Sequence, residues 1–337
     1  MKQFIYIPLI IIILLGCSTK LAEQAQSDTT ALPQLKILNQ PQPLQPVQLK
    51  LQEIPSVNNE SKANGKITQT VYPLVIKDRN GEKITFDVAP QRIIAFDAAA
   101  VEILFAIGQG SKVIATHSFV SYPLEVSEIT KVGDAFSMDI EAIVSLNPDL
   151  VYIFYPTFKE ELEKVGLKVL LIETIDDDLT KLSDHFRMWG QITDAIDKSE
   201  NLASDFENRI QLIKQELSQY SSEPSIFQDV GDFWTPGNNT LINEVFNLLK
   251  LDNISKSNDG YYQMSPEVIA TMNPQYIITN TPDSYINNPA FKNLSVIKSN
   301  SFYIPNNDYF SIFGPRFILG IEELANTVYP AIYKKPR

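Results

Sequence analysis

Asp139-Ile140-Glu141-Ala142-Ile143-Val144-Ser145-Leu146-Asn147-Pro148-Asp149-Leu150-Val151-Tyr152-Ile153 returns in outline as Ser265-Pro266-Glu267-Val268-Ile269-Ala270-Thr271-Met272-Asn273-Pro274-Gln275-Tyr276-Ile277-Ile278-Thr279. In both copies a capping residue opens a short helix with glutamate in its first turn, Asn-Pro stops that helix, and an apolar strand follows. A helix–strand unit that recurs 126 positions later implies two similar α/β lobes.

Outward from the repeat, short β-branched runs alternate with helical patterns. Ahead of the first copy stand Arg92–Phe96, then Val101–Ile107 closed by Gly108, then Val113–Ala115; Val169–Ile172 follows it. Around the second copy stand Ser225–Phe227 and Ser301–Ile304, with a final helix from about Pro315 to Val328. Strand and helix in alternation predict largely parallel sheets covered by helices, with a binding crevice at the strands' carboxyl ends.

Between the lobes, residues 179–220 break the alternation. Leu182, Phe186, Trp189, Ile192 and Ile196, then Leu202, Phe206, Ile210, Ile213 and Leu217, recur every three or four residues. This is a long amphipathic helical linker, interrupted near Asp194–Asp197. The organisation is therefore a first lobe over 71–178, the linker over 179–220 and a second lobe over 221–337. The first lobe opens on a hairpin, since Asn80-Gly81 lies between two apolar arms and suits the positive φ of a type I′ turn.

The N-terminus carries a different message. Lys2 precedes an apolar run from Phe4 to Leu15, too short to span a bilayer, and the run ends in Leu14-Leu15-Gly16-Cys17. Residues 1–16 read as a signal peptide resembling that of bacterial lipoproteins, which makes Cys17 the lipidated first residue and the only membrane attachment. As the chain's single cysteine it allows no intramolecular disulfide. Residues 18–70 hold no aromatic side chain and include the run Gln40-Pro41-Gln42-Pro43, so 17–70 is read as a disordered tether.

With 28 basic against 40 acidic residues and a net charge of −12, the chain would repel nucleic acid. Its two histidines, His117 and His185, give no zinc spacing, and no GxSxG elbow or phosphate-cradling loop occurs. A secreted metal-dependent hydrolase is thus the weak alternative; no catalytic residue, resident metal or cofactor is assigned. Asp176-Asp177-Asp178 reads as a solvated helix start, since no spaced ligands follow it.

The order of several blocks resembles one family. Pro90–Ala95 with Glu102–Gly108, Val132-Gly133-Asp134, Trp234–Asn243, Asp252-Asn253-Ile254, Gly260-Tyr261 and Gly314-Pro315-Arg316 follow the sequence of the vitamin B12 and ferric-siderophore class of periplasmic binding proteins, in lipoprotein form, over residues 74–330. The resemblance implies two Rossmann-like lobes joined by a long helical linker, a ligand cleft between them, little hinge movement and no chemistry on the ligand. It also implies a monomer serving the permease dimer of an ABC importer outside the cytoplasm, with Glu141 and Glu267 meeting basic residues on that dimer.

Residues placed after strands nominate the cleft: Asp97, His117, Tyr122 and Tyr155 in the first lobe, and Trp234, Thr235, Tyr261, Tyr262, Tyr309 and Phe310 in the second. Aromatic rings offer stacking area to a bulky chelate, and a few polar groups orient it. His117 is read as a hydrogen-bonding wall residue, with metal ligation as the lesser alternative; His185 is read as structural. Arg316, at a helix start, either faces a polar ligand group or forms a structural ion pair. A corrinoid is favoured as ligand, with a ferric siderophore or haem as rival; a lipoprotein presenting ligand to a sensor is a further alternative.

Overall fold

A computed structural model describes residues 68–331, apart from 135–136, 173–177 and 306–307. The signal peptide, Cys17 and nearly all of the expected tether lie outside the described residues. Among the described residues no helix is long and apolar enough to cross a membrane.

The chain opens with a hairpin of β1 (Leu74–Lys77) and β2 (Lys83–Phe86), with Lys77 opposite Lys83. The connection differs from the expected two-residue turn. Only Gly81 takes positive φ, at 79°, whereas a type I′ turn needs it at both central residues. The Asp78 carboxylate accepts from the backbone N–H groups of Asn80 and Glu82, both at 2.8 Å, and this local bond fixes a wider loop.

The first lobe continues through β3 (Ile93–Ala95), α1 (Ala98–Ala106), β4 (Val113–Thr116), β5 (Thr130–Lys131), α2 (Ile140–Ser145), β6 (Leu150–Ile153), α3 (Lys159–Lys164) and β7 (Val169–Leu171). The five strands from β3 onward form a parallel sheet in the order β5-β4-β3-β6-β7. Next come α4 (Lys181–Thr193) and α5 (Ile196–Leu217). The second lobe contains β8 (Ser225–Gln228), β9 (Trp234–Pro236), α6 (Leu241–Leu248), β10 (Asp252–Asn253), β11 (Tyr261–Gln263), α7 (Pro266–Met272), β12 (Tyr276–Ile278), α8 (Asp283–Ile286), α9 (Ser295–Ser299), β13 (Phe302–Tyr303) and α10 (Phe317–Val328). Its parallel sheet runs β10-β8-β12-β13, and β9 pairs antiparallel with β11.

The sequence repeat is a structural repeat. The order β4-β3-β6-β7 of the first lobe corresponds to β10-β8-β12-β13 of the second. Asp139 and Ser265 accept from the N–H of Ala142 and Val268, closing the first turns of α2 and α7. Asn147 and Asn273 end those helices at φ 46° and 49°, the left-handed region asparagine tolerates. The residue after each Asn-Pro then clasps the start of the neighbouring strand: Asp149 accepts from the N–H of Arg92, and Gln275 from that of Ser225.

Each central strand is buried on both faces, as parallel sheets require. Ile93 and Ala95 face one core while Ile94 and Phe96 face another; Ile226 and Phe227 divide in the same way. One core touches both sheets. It runs from Ile93 and Tyr152 through Trp189, Phe206 and Ile213 to Ile226, Ile278 and Leu324.

The linker is a helical pair, broken at Asp194 with φ 58°. Its first helix completes the first lobe, with Trp189 edge-on to Tyr152 at 5.0 Å. The second carries the chain across, and Arg209 holds Glu322 of α10 through two bonds of 3.0 and 2.6 Å. Arg187 clamps α4 to Glu200 and Glu207 of α5. The chain's entry is fixed at the same corner: the Thr70 N–H donates to Asp194 at 2.6 Å, and the Tyr72 hydroxyl to the Ile192 carbonyl at 2.8 Å.

The two helices leave no room for a side chain at Gly190, where a Cβ would lie 1.8 Å from Ser199 Oγ. Gly190→Ala should therefore lower stability by about 1–3 kcal/mol through overpacking. A urea titration reads the loss, and Ser199→Gly in the same chain should recover part of it.

Candidate ligand-binding cleft

In each sheet the strand order reverses beside the central strand, between β3 and β6 and between β8 and β12, and crevices form at the carboxyl ends of such strands. Both lobes put a carboxylate there. Asp97 follows β3 and caps α1, accepting from Ala99 N at 3.1 Å and Ala100 N at 3.2 Å. Asp229 follows β8 and accepts from Gly231 N, Phe233 N and the Tyr285 hydroxyl at 2.9, 3.0 and 2.7 Å. Burial pushes the Asp97 carboxyl up to about 6, against the lowering effect of its backbone donors. Burial likewise raises Asp229.

Three residues named from sequence converge across the lobes. The Arg316 guanidinium carbon lies 3.6 Å from the Tyr122 ring centre and 5.5 Å from that of Tyr309, a cation–π arrangement joining first lobe to second. Glu102 of α1 completes the group, accepting a hydrogen bond from Arg316 Nη2. Of the two roles expected for Arg316, the ion pair is present, and it bridges the lobes. Just ahead of it, a Cβ on Gly314 would stand 3.2 Å from Glu102 Oε2, so this loop lies directly on α1.

His117 is buried. Its Nδ1 accepts the Phe119 N–H at 3.2 Å, and its ring stacks on Phe96 with centroids 6.4 Å apart. Burial, helped by Lys131, holds the imidazole down at about 4. The neutral ring with its Nδ1 lone pair engaged carries its proton on Nε2, a donor. Tyr155 follows β6 and lines an apolar depression together with Phe96, Met138, Phe154 and Phe158.

The β9–β11 pair sorts the second-lobe candidates by strand alternation. Thr235 and Tyr262 are register partners on the inward face: the Thr235 hydroxyl is fully buried, 2.8 Å from Ser255 Oγ, and the Tyr262 hydroxyl donates to the Ser255 carbonyl at 2.9 Å. Trp234 and Tyr261 fall on the opposite face, both half-buried. The preceding loop is strained, with Gly231, Asp232 and Phe233 at φ 130°, 48° and 61°. The Asp229 carboxylate and the Phe233 ring, packed 5.8 Å from Tyr285, hold it. Phe310 is buried between Tyr303 and Phe317 as core, apart from its neighbour Tyr309. Glu141 and Glu267 stand exposed in the first turns of α2 and α7.

Sequence reasoning named Arg316 but missed Glu102 and Asp229. A signal for the first existed: Glu102 is the one charge in the apolar helix AAAVEILFA, and such a charge needs a partner.

This geometry defines a two-lobed α/β binding protein with its site between the carboxyl edges of two sheets. The chain belongs to the periplasmic binding protein family, whose model matches residues 93–309, within the span marked by the motif order. A Bacillus subtilis ABC transporter substrate-binding lipoprotein, YvrC, is 28% identical over 295 residues, covering 83% of this chain and 93% of its own. The vitamin B12-binding protein of Vibrio vulnificus is 25% identical over 254 residues, 72% of this chain and 91% of its own. Among solved structures, the periplasmic vitamin B12-binding protein BtuF of Vibrio cholerae superposes with a TM-score of 0.63 at 23% identity, covering 73% of this chain and 99% of its own, a likeness of fold.

Buried titratable groups make stability depend on pH. His117 and His185 are both held near 4, below the ordinary 6.5, so between pH 6.5 and 4 the unfolded chain takes up protons that the folded chain refuses, and their contribution to stability is lost. Asp97, Glu102 and Asp229 oppose them, because burial raises each carboxyl and the folded chain then binds these protons before the unfolded one does. Thermal unfolding measured at pH 6.5 and at pH 4 checks the histidine contribution: between these values His185→Gln should lose less stability than the parent chain, or gain more.

Proposed function

We propose that the chain is the extracytoplasmic solute-binding lipoprotein of an ABC importer, anchored through Cys17, which captures a metal chelate and delivers it to a permease dimer. What supports this is the placing of aromatic residues after the strands of two like-ordered sheets, in a chain matching the binding-protein family over 93–309. The nature of the relatives supports the transport role and a corrinoid as ligand. Half-buried rings of Tyr155, Trp234, Tyr261 and Tyr309 with the exposed ring of Tyr122 offer stacking area for a flat, bulky ligand.

Haem or a ferric siderophore is the rival ligand. The His117 hydrogen bond favours the corrinoid, because an imidazole with Nδ1 engaged and Nε2 protonated donates to an amide oxygen and has no free lone pair for iron. Titration with cyanocobalamin, haem and ferric siderophores, read by tryptophan and tyrosine fluorescence, tests the reading. Cyanocobalamin should bind most tightly, and Trp234→Ala should weaken it by about 1–3 kcal/mol, with Tyr262→Ala acting mainly on stability. Binding of none of these chelates would remove the reading.

Docking is assigned to Glu141 and Glu267. They occupy equivalent positions of the repeat, both exposed, as a two-lobed protein seated on a two-fold partner requires. Charge reversal of both to Lys should leave ligand affinity and melting temperature within error of the parent while abolishing uptake by cells that carry the cognate permease. Normal uptake by that variant would reassign the docking face.

A further inference from the structure

Arg316 stands where a cleft would present a cation to an anionic ligand, yet its guanidinium is covered. Glu102 accepts from Nη2, Tyr122 lies over the plane at 3.6 Å, and Tyr309 flanks it at 5.5 Å. The side chains of Glu102 and Arg316 are only 2% and 13% exposed. Helix formation does not account for this glutamate. It lies beyond the first turn of α1, where Asp97 already caps the N-terminus, and the other residues of the helix are apolar. A buried carboxylate is costly unless paired, and its partner here comes from the other lobe. Glu102 Oε2 and Arg316 Nε remain buried without a hydrogen bond, so the pair is far from an optimised structural clasp.

The charged residues in the loops that follow the strands are mostly acidic. Asp97 follows β3, Asp134 follows β5, Asp232 follows β8, and Asp308 precedes Tyr309; Asp232 and Asp308 are exposed. Against them stands Lys131, whose ammonium donates to the Val120 carbonyl at 2.9 Å. With its arginine neutralised, a cleft rimmed by carboxylates repels anions.

We propose that Glu102 is a specificity-determining residue: by neutralising Arg316 beneath the Tyr122 ring, it makes the cleft select chelates of zero or positive net charge and reject anionic ones. This rests on the chelate reading of the cleft and narrows it. Uncharged corrinoids and uncharged hydroxamate complexes fall inside the class, whereas tris-catecholate and polycarboxylate iron complexes and haem fall outside it.

Charge-matched probes in equilibrium dialysis test this. One pair is cyanocobalamin and its monocarboxylic acid, in which one side-chain amide is hydrolysed; the other is a neutral ferric trihydroxamate and a trianionic ferric tris-catecholate. The unaltered protein should favour the neutral member of whichever pair binds by about tenfold or more, and Glu102→Gln should tighten the anionic member by about tenfold. Removing one partner of a buried pair can unfold a chain, so the exposed double variant Asp232→Asn, Asp308→Asn supplies a second arm. It should tighten the anion by about threefold at low salt, and the gain should shrink at high salt because exposed charges are screened. Equal or tighter binding of the anion by the unaltered protein, or no gain in either variant, would overturn the selectivity and leave the chelate site standing. If none of the four probes binds, the chelate reading falls and the selectivity with it.

Discussion

Phe206, Ile213 and Leu217 of α5 and Leu324 of α10 belong to the same continuous core as Tyr152 of the first sheet and Ile278 of the second. Each such side chain contributes about 1.5–3 kcal/mol by leaving water, and separating the lobes would return many of them to it. The bidentate Arg209–Glu322 pair adds direction to that packing. The lobes are thus joined by shared packing as well as by the chain. Around this core the strand ends carry a held loop at Gly231–Phe233, a capped α1 and a guanidinium between two rings.

The repeat extends from the scaffold into the site. Asp97 and Asp229 occupy the same place after the central strands of the two sheets, and both use their carboxylates to gather backbone N–H groups of the loop that follows. The same device has two outcomes. In the first lobe it starts a helix, whereas in the second it holds three consecutive residues at positive φ and so aims Trp234. Duplicated architecture with divergent loops yields an asymmetric cleft, suited to a ligand whose two faces differ.

Much of the fold was legible because its determinants are local and periodic. The Asn-Pro stops, the heptad-like apolar spacing of 182–217 and the β-branched runs each act within a few residues, and the strands fall within a residue or two of where the sequence places them. The Asn80-Gly81 turn was misread because Asp78 competes for the same backbone donors. The cleft was less legible. Strand alternation separates Trp234 from Thr235 and Tyr261 from Tyr262, but it needs a pairing register that a three-residue strand does not announce. The Glu102–Arg316 contact joins positions 214 apart, and no local rule reaches so far.

The corner between α4 and α5 has a mechanical consequence. The chain enters the described fold at Thr70 and Tyr72, which grip Asp194 and the carbonyls of Gln191 and Ile192. A pull applied from the N-terminal side is therefore taken up first at this corner, as load on a few hydrogen bonds backed by the packed helices. The strands that carry the cleft loops lie behind that packing. Load entering at Thr70 thus meets the helical pair before it reaches the loops at the strand ends.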